Sequence, residues 1–316
     1  MPFYLIGGTL IGLFALFFVF GYICFCRACK RRKKYYVVSR QEPGGAEQLP
    51  KPVETLLPES RRWLDEAGGE AVTVTAHDGL RLAGRLLLAE GTPRGLVLMF
   101  HGYHSSCRRD LAIQARFLHE AGYHLLLASQ RAHGESEGTY ICFGAKERRD
   151  VASWCCFALR RPELQGLPFA LFGLSLGAST VLMSSNIGLP EQVKCIVGDC
   201  GFSGPWDIIK RTIHQKHRIY PYPVIYFMNF WSRCLAKFDF REASVSESLR
   251  ECTLPVLLIH GEEDRYVPTE MSHRAAAANP RCVTLWTVPH ARHAQAVFYE
   301  PDAYRTRVLA FLEETM

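Results

Sequence analysis

From Phe3 to Cys26 the chain carries no charged residue. A helix rising about 1.5 Å per residue would over that stretch exceed the roughly 30 Å hydrocarbon core, so the pattern predicts one membrane-crossing helix over residues 1–26. A cleavable signal would place its basic residues before a shorter apolar run. Here Arg27, Lys30, Arg31, Arg32, Lys33 and Lys34 follow it, so an uncleaved anchor is expected. Basic flanks stay on the cytoplasmic side, which places the bulk of this single-pass chain inside. Residues 27–60 read as a basic juxtamembrane segment and linker, rich in Pro, Gly, Gln and Glu over 39–58. A catalytic domain is expected over 61–316.

That domain opens with a short helix at 61–67 and a hairpin, 71–75 and 80–88 about the His77-Asp78-Gly79 turn. Short apolar runs then follow at 95–100, 124–128, 169–172, 194–198, 256–259 and 283–288. Between them lie helical patterns at 110–121, 145–159, 175–185 and 270–278. The alternation predicts an α/β fold with a mostly parallel sheet flanked by helices. It breaks over 201–254, where Trp206, Tyr220, Tyr222, Tyr226, Phe227, Phe230, Trp231 and Phe238 mark an aromatic insertion expected to form a small helical cap.

Charge alters this picture little. The formal net charge is +6, and the basic cluster behind the apolar run supplies that much by itself. A near-neutral domain lacks the basic face that phosphate neutralisation demands, so nucleic acid is excluded as a partner. The 12 cysteines are scattered and several sit in apolar runs, which fits buried free thiols in a reducing compartment. Cys24, Cys26 and Cys29 stand at the expected inner membrane edge, where thiols can be acylated. No fourth ligand lies nearby to complete a zinc tetrahedron.

Chemistry enters with Gly173-Leu174-Ser175-Leu176-Gly177, set between the apolar run 169–172 and a helical stretch. This is the context of a nucleophile elbow: the serine occupies a strained turn, and flanking side chains would collide with neighbouring backbone. A serine hydroxyl needs a histidine base, and the imidazole needs an acid to fix its tautomer. Asp264 lies just past the run 256–259, with Glu262 and Glu263 beside it and Asp199 at the end of the preceding run as rivals. His290 and His293 both follow the run 283–288. His293 directly precedes a helical stretch, the common arrangement for the base. An oxyanion needs two N–H donors, normally the residue after the nucleophile, Leu176, and one in the loop after an early strand, His101-Gly102-Tyr103. His101 precedes the serine and reads as structural, as does the turn 129–138. The glycine-containing loops lack a GxxxxGK phosphate cradle.

Taken together, the His101-Gly102 loop, the run from Arg131 to Gly138, the elbow at Ser175, the run from His260 to Pro268 and His293 resemble the α/β-hydrolase superfamily. The nearest likeness is to serine aminopeptidase-like hydrolases, particularly small bacterial membrane-anchored members, and it covers roughly 70–316. The resemblance implies an α/β-hydrolase fold, a triad of Ser175, Asp264 and His293, and Tyr103 and Leu176 as oxyanion donors. Ser129-Gln130 stands where many relatives place an aspartate, which weakens any transfer of specificity. The expected function is hydrolysis of a carboxylic ester with an apolar or lipid-like acyl group, through an acyl-enzyme and without metal or cofactor. A peptidase, a thioesterase or a non-catalytic membrane scaffold are the alternatives.

Overall fold

The computed structural model describes residues 2–32, 52–218 and 220–316. Its centre is an eight-stranded sheet in the order β1-β2-β4-β3-β5-β6-β7-β8. The strands are β1 (Glu70–Thr75), β2 (Arg81–Leu87), β3 (Gly95–Phe100), β4 (Tyr123–Ala128), β5 (Phe169–Leu174), β6 (Val193–Asp199), β7 (Val256–Gly261) and β8 (Val283–Val288). The helices are α1 (Pro2–Cys29), α2 (Pro52–Glu66), α3 (Cys107–Asp110), α4 (Ala112–Glu120), α5 (Glu147–Leu159), α6 (Leu176–Met183), α7 (Pro205–His217), α8 (Val224–Trp231), α9 (Val245–Arg250), α10 (Glu270–Ala278), α11 (Ala296–Tyr299) and α12 (Pro301–Thr315).

The hairpin β1–β2 is antiparallel and joins β4 in antiparallel pairing, whereas every pair from β4 through β3 and β5 to β8 is parallel. The reason lies in burial. Strands β3, β4, β5 and β7 are buried at every position, as a sheet with both faces covered requires, while β1 alternates and lies at an edge. One core layer holds Trp154, Val181, Leu249 and Met271 from α5, α6, α9 and α10; the other holds Leu64, Phe117, Tyr304 and Leu312 from α2, α4 and α12. Since β4 and β5 lie on opposite sides of β3, the chain changes direction across the sheet there. The loops leaving β3 and β5 therefore open onto one crevice, where such sheets carry their sites.

The insertion between β6 and β7 consists of α7, α8, a π-helical turn (Ser232–Ala236) and α9. Its strongest partner outside the insertion is α1. Trp231 Nε1 donates to the Phe18 carbonyl oxygen (3.1 Å), the Phe18 ring lies 4.7 Å from that of Trp231, and the Phe14 ring lies 5.3 Å from that of Phe227. A Cβ at Gly21 would overlap the Phe227 Cβ, so glycine permits the close crossing.

Here the boundaries differ from those expected. Helix α1 continues to Cys29, beyond the expected end at 26, and its last turns belong to the core: Phe25 and Cys29 are fully buried. Beyond it, Lys30 pairs with Tyr140, Arg31 N donates to Thr139 O (2.8 Å), and the Arg31 guanidinium donates to Gly134 O and to Ser136 O (2.7 Å). Helix α2 begins at Pro52, inside the expected linker, because Leu56, Leu57, Trp63 and Leu64 find apolar partners on the second core layer. Pro58 within this helix obscures its period. Helix α12, absent from the pattern reading, buries Tyr304, Val308 and Leu312 at spacings of four. Lys33, Lys34 and the remaining linker lie outside the described residues.

Candidate functional site

Ser175 sits between the end of β5 and the first residue of α6 at φ 55° and ψ −113°, a conformation an L-residue holds only at a cost of about 1–3 kcal/mol. The surroundings enforce it. Ser175 N donates to Asp199 O (2.8 Å), and Ser179 N donates to Ser175 O (3.0 Å) as the helix begins. A Cβ on Gly173 would collide with the Gly177 carbonyl and the Ala178 amide, and one on Gly177 with the Phe100 carbonyl. Glycine at both positions is therefore a steric requirement of the elbow.

Two loops deliver the partners. His293, in the turn between β8 and α11, places Nε2 2.9 Å from Ser175 Oγ. Asp264, in the turn after β7, places Oδ2 2.7 Å from His293 Nδ1. The three side chains thus form one hydrogen-bonded line, and all are buried. With Nδ1–H donating to the carboxylate, Nε2 is left as an acceptor for the serine hydroxyl, which is the arrangement that lets imidazole take the hydroxyl proton.

Asp264 is itself held firmly. Its Oδ1 accepts the backbone N–H groups of Tyr266 (2.9 Å) and Val267 (2.8 Å). Burial pushes its pKa up, but the charge and hydrogen bonds of His293 and His260 outweigh that and hold it at about 2. His260, the penultimate residue of β7, donates from Nε2 to Val267 O (2.9 Å) with Asp264 Oδ2 also 3.2 Å away, while its Nδ1 accepts from Ser272 Oγ (2.6 Å). The role of His260 was missed in the sequence; its place four residues before the acid was the available signal.

The rivals are placed elsewhere. Glu262 accepts from Thr287 Oγ1 (2.8 Å), and Glu263 meets the exposed His290 ring (3.2 Å). Asp199 accepts from the Tyr304 hydroxyl (2.8 Å), and burial raises its pKa to about 6.

The loop after β3 lies against the serine: a Cβ on Gly102 would stand 3.5 Å from Ser175 Cβ. Gly102 N donates to Asp110 Oδ2 (2.8 Å), and His104 N donates to His133 Nε2 (3.0 Å). Between these anchored amides, the Tyr103 N–H joins no hydrogen bond among the described residues, and neither does that of Leu176 at the start of α6. His101 is buried behind the loop, donating from Nδ1 to Gly102 O (2.8 Å) and accepting the Gln130 N–H at Nε2 (3.2 Å), which is a structural role. The turn 129–138 is pinned by Arg131, whose guanidinium bonds Asp150 (2.7 and 2.5 Å) and Asp78 (2.8 and 3.3 Å).

One contact ties this loop to α1. The Tyr103 hydroxyl donates to the Ala28 carbonyl oxygen (2.6 Å), and its ring stacks on Phe143 (5.4 Å between centroids), which in turn meets Phe202 at the base of the cap (6.3 Å). The cap touches the acid loop as well: Arg211 Nη2 and Gln215 Nε2 on α7 both donate to Arg265 O (2.8 and 2.7 Å).

Sheet order, elbow and converging loops define an α/β-hydrolase fold. Residues 91–208, from before β3 to the start of α7, match the family model described as serine aminopeptidase, S33, which supports placement in the α/β-hydrolase superfamily. The chain is 22% identical over 243 residues to the uncharacterized protein YqkD of Bacillus subtilis, covering 77% of this chain and 79% of that protein. It is 26% identical over 266 residues to the uncharacterized protein YfhR of Salmonella typhi, covering 79% and 83%. The Pyrococcus furiosus esterase Pf2001 is similar in structure with a TM-score of 0.63 and 23% identity, covering 90% of this chain and 100% of that one.

Proposed function

We propose that this chain is a membrane-anchored serine hydrolase that cleaves carboxylic esters with an apolar or lipid-like acyl group. The observation that carries the reading is the buried line from Ser175 Oγ through His293 to Asp264, at 2.9 and 2.7 Å. In this reading His293 takes the proton of Ser175 Oγ as it attacks the ester carbonyl. The backbone amides of Tyr103 and Leu176 receive the oxyanion. His293 then protonates the leaving alcohol and activates the water that releases the acid. Asp264, ionised at any pH well above 2, stabilises the imidazolium. The aromatic chain Tyr103–Phe143–Phe202 beside the loop favours an apolar acyl group, and the esterase likeness agrees with an ester.

The anchor is supported by length, by composition and by packing. The most apolar 18 residues of Ile6–Cys29 have a mean hydropathy of 2.4, and the helix is long enough to cross a membrane. Removal of α1 as a signal would strip Phe25 and Cys29 from the core and the Ala28 carbonyl from Tyr103, so an uncleaved helix is favoured. The catalytic domain then lies on the side of Arg27, Lys30, Arg31 and Arg32, which by the charge rule is cytoplasmic. The test is hydrolysis of p-nitrophenyl esters of graded chain length by the detergent-solubilised protein. Turnover that vanishes in Ser175→Ala is expected; turnover unchanged in that variant contradicts the reading.

A further inference from the structure

We propose that the cap is itself a membrane element: α8 and the π-helical turn behind it are immersed in the leaflet that α1 enters from the domain side, and the substrate is an ester-bearing amphiphile taken laterally from that leaflet. The inference rests on the hydrolase and anchor readings above, and it follows from where the cap grips α1. Phe227 meets Phe14 and Phe18, Phe230 meets Phe18, and Trp231 meets Phe18 and Tyr22. The cap therefore reaches as far along α1 as Phe14. At about 1.5 Å per residue, the apolar stretch beyond that level, Phe3 to Leu13, is about 16 Å long, roughly half of a hydrocarbon core of about 30 Å. If α1 crosses the membrane, the remaining half must be filled by the part of α1 that α8 covers, and α8 lies at that depth with it.

The surface of the cap suits the position. Tyr226, Phe230 and Leu235 are exposed, at 52%, 48% and 38%, and so are Val19, Tyr22 and Ile23 of α1. Two polar side chains at this level find partners within the protein, as hydrocarbon demands: the Trp231 indole N–H donates to Phe18 O, and Asn229 Oδ1 accepts the Phe240 N–H (2.7 Å). Arg233 and Lys237 on the following turn are exposed and long enough to reach a headgroup layer, as are the exposed Arg27 and Lys30 at the end of α1. An aromatic face this large, continuous with a spanning helix, has a bilayer as its fitting partner.

Two measurements test this on the full chain in phosphatidylcholine–phosphatidylglycerol vesicles. An environment-sensitive maleimide fluorophore is attached to the exposed Cys234, in the π-helical turn, in a variant with the other accessible thiols removed (C26S, C156S, C282S). Quenching by lipids carrying a nitroxide on the acyl chain is expected, with a blue-shifted emission. A water-like spectrum without quenching overturns the immersion, whether or not any ester is cleaved. In parallel, Phe230→Asp is compared with wild type on p-nitrophenyl butyrate in solution and on a long-chain ester embedded in the vesicles. A loss of about tenfold or more confined to the embedded ester is expected. Equal loss on both overturns lateral uptake. Absence of turnover by wild type on either ester overturns the hydrolase reading instead, while the quenching result still decides the cap's position.

Discussion

The elbow end of the sheet and the seam between α1 and the cap are built by opposite means. At the elbow, short polar contacts and tight backbone crossings fix a strained serine: Gly173 and Gly177 about Ser175, its hydrogen bond to His293, and the amides of Tyr266 and Val267 on Asp264. At the seam almost everything is aromatic packing, and the one hydrogen bond to the Trp231 indole joins residues 213 apart. The elbow tolerates no change of shape, and the proposed chemistry rests on it. The seam supplies burial and position, and its packing tolerates gradual loss. The Tyr103 hydroxyl on Ala28 O is where one region supports the other.

The sharpest way to separate them begins at the elbow. Ser175→Ala is expected to lower ester turnover by about 10⁴- to 10⁶-fold and leave the thermal midpoint close to wild type, measured by kinetics and by circular dichroism on the same sample. Asp264→Asn is expected to cost about 10⁴-fold in kcat, because the amide favours the wrong imidazole tautomer. In wild type the acid limb of the pH–rate profile should not report Asp264, which titrates near 2.

At the seam, the pattern should reverse. Trp231→Ala removes a large, half-buried side chain packed against Phe18 and Tyr22 and is expected to destabilise the protein by about 1–3 kcal/mol, read from denaturant midpoints. Turnover of a soluble ester per folded molecule should stay within severalfold. Tyr103→Phe should show both signatures weakly. Loss of the Ala28 contact is worth about 1 kcal/mol, and kcat should fall by less than about tenfold with KM little changed, as a shifted oxyanion donor requires.

The rival acid acts through pH alone. Burial raises the Asp199 carboxyl to about 6 in the folded chain, above its unfolded value of about 3.9. The folded state therefore binds the extra proton, and stability falls by about 3 kcal/mol as pH rises from about 4 to about 6. Asp199→Asn still offers Tyr304 an acceptor, so it should be more stable than wild type at pH 8 and nearly equal at pH 4, with ester turnover kept.

How far the sequence could be read follows the same division. Strands 95–100 and 283–288 and helix 270–278 coincide with the observed elements, because buried parallel strands and an amphipathic helix carry their pattern locally. Ser175, His293 and Asp264, which the structure brings into one line, were legible as candidates because each follows a strand in a fixed order, the acid with the help of family likeness. The site loops of Tyr103 and Leu176 were legible as positions but not their anchoring. What could not be read was tertiary. Nothing near Phe25 or Cys29 announces burial against Tyr140, and nothing near Trp231 announces Phe18. Only the second half of α2 was legible, as the helix expected at 61–67; its first half was lost to the prolines at 52 and 58, although its apolar residues were present. His260 stood just past the run 256–259, and only the folded turn and α10 bring Val267 O, Ser272 Oγ and Asp264 to its ring.

The most direct test of the proposed chemistry is covalent. The detergent-solubilised full chain and its Ser175→Ala variant are treated with a fluorophosphonate and the modified residue is located by mass spectrometry. Stoichiometric modification at Ser175, absent from the variant, is expected from an Oγ held 2.9 Å from His293 Nε2. A folded wild-type protein that stays unmodified, or is modified equally in the variant, would contradict an activated serine at this elbow.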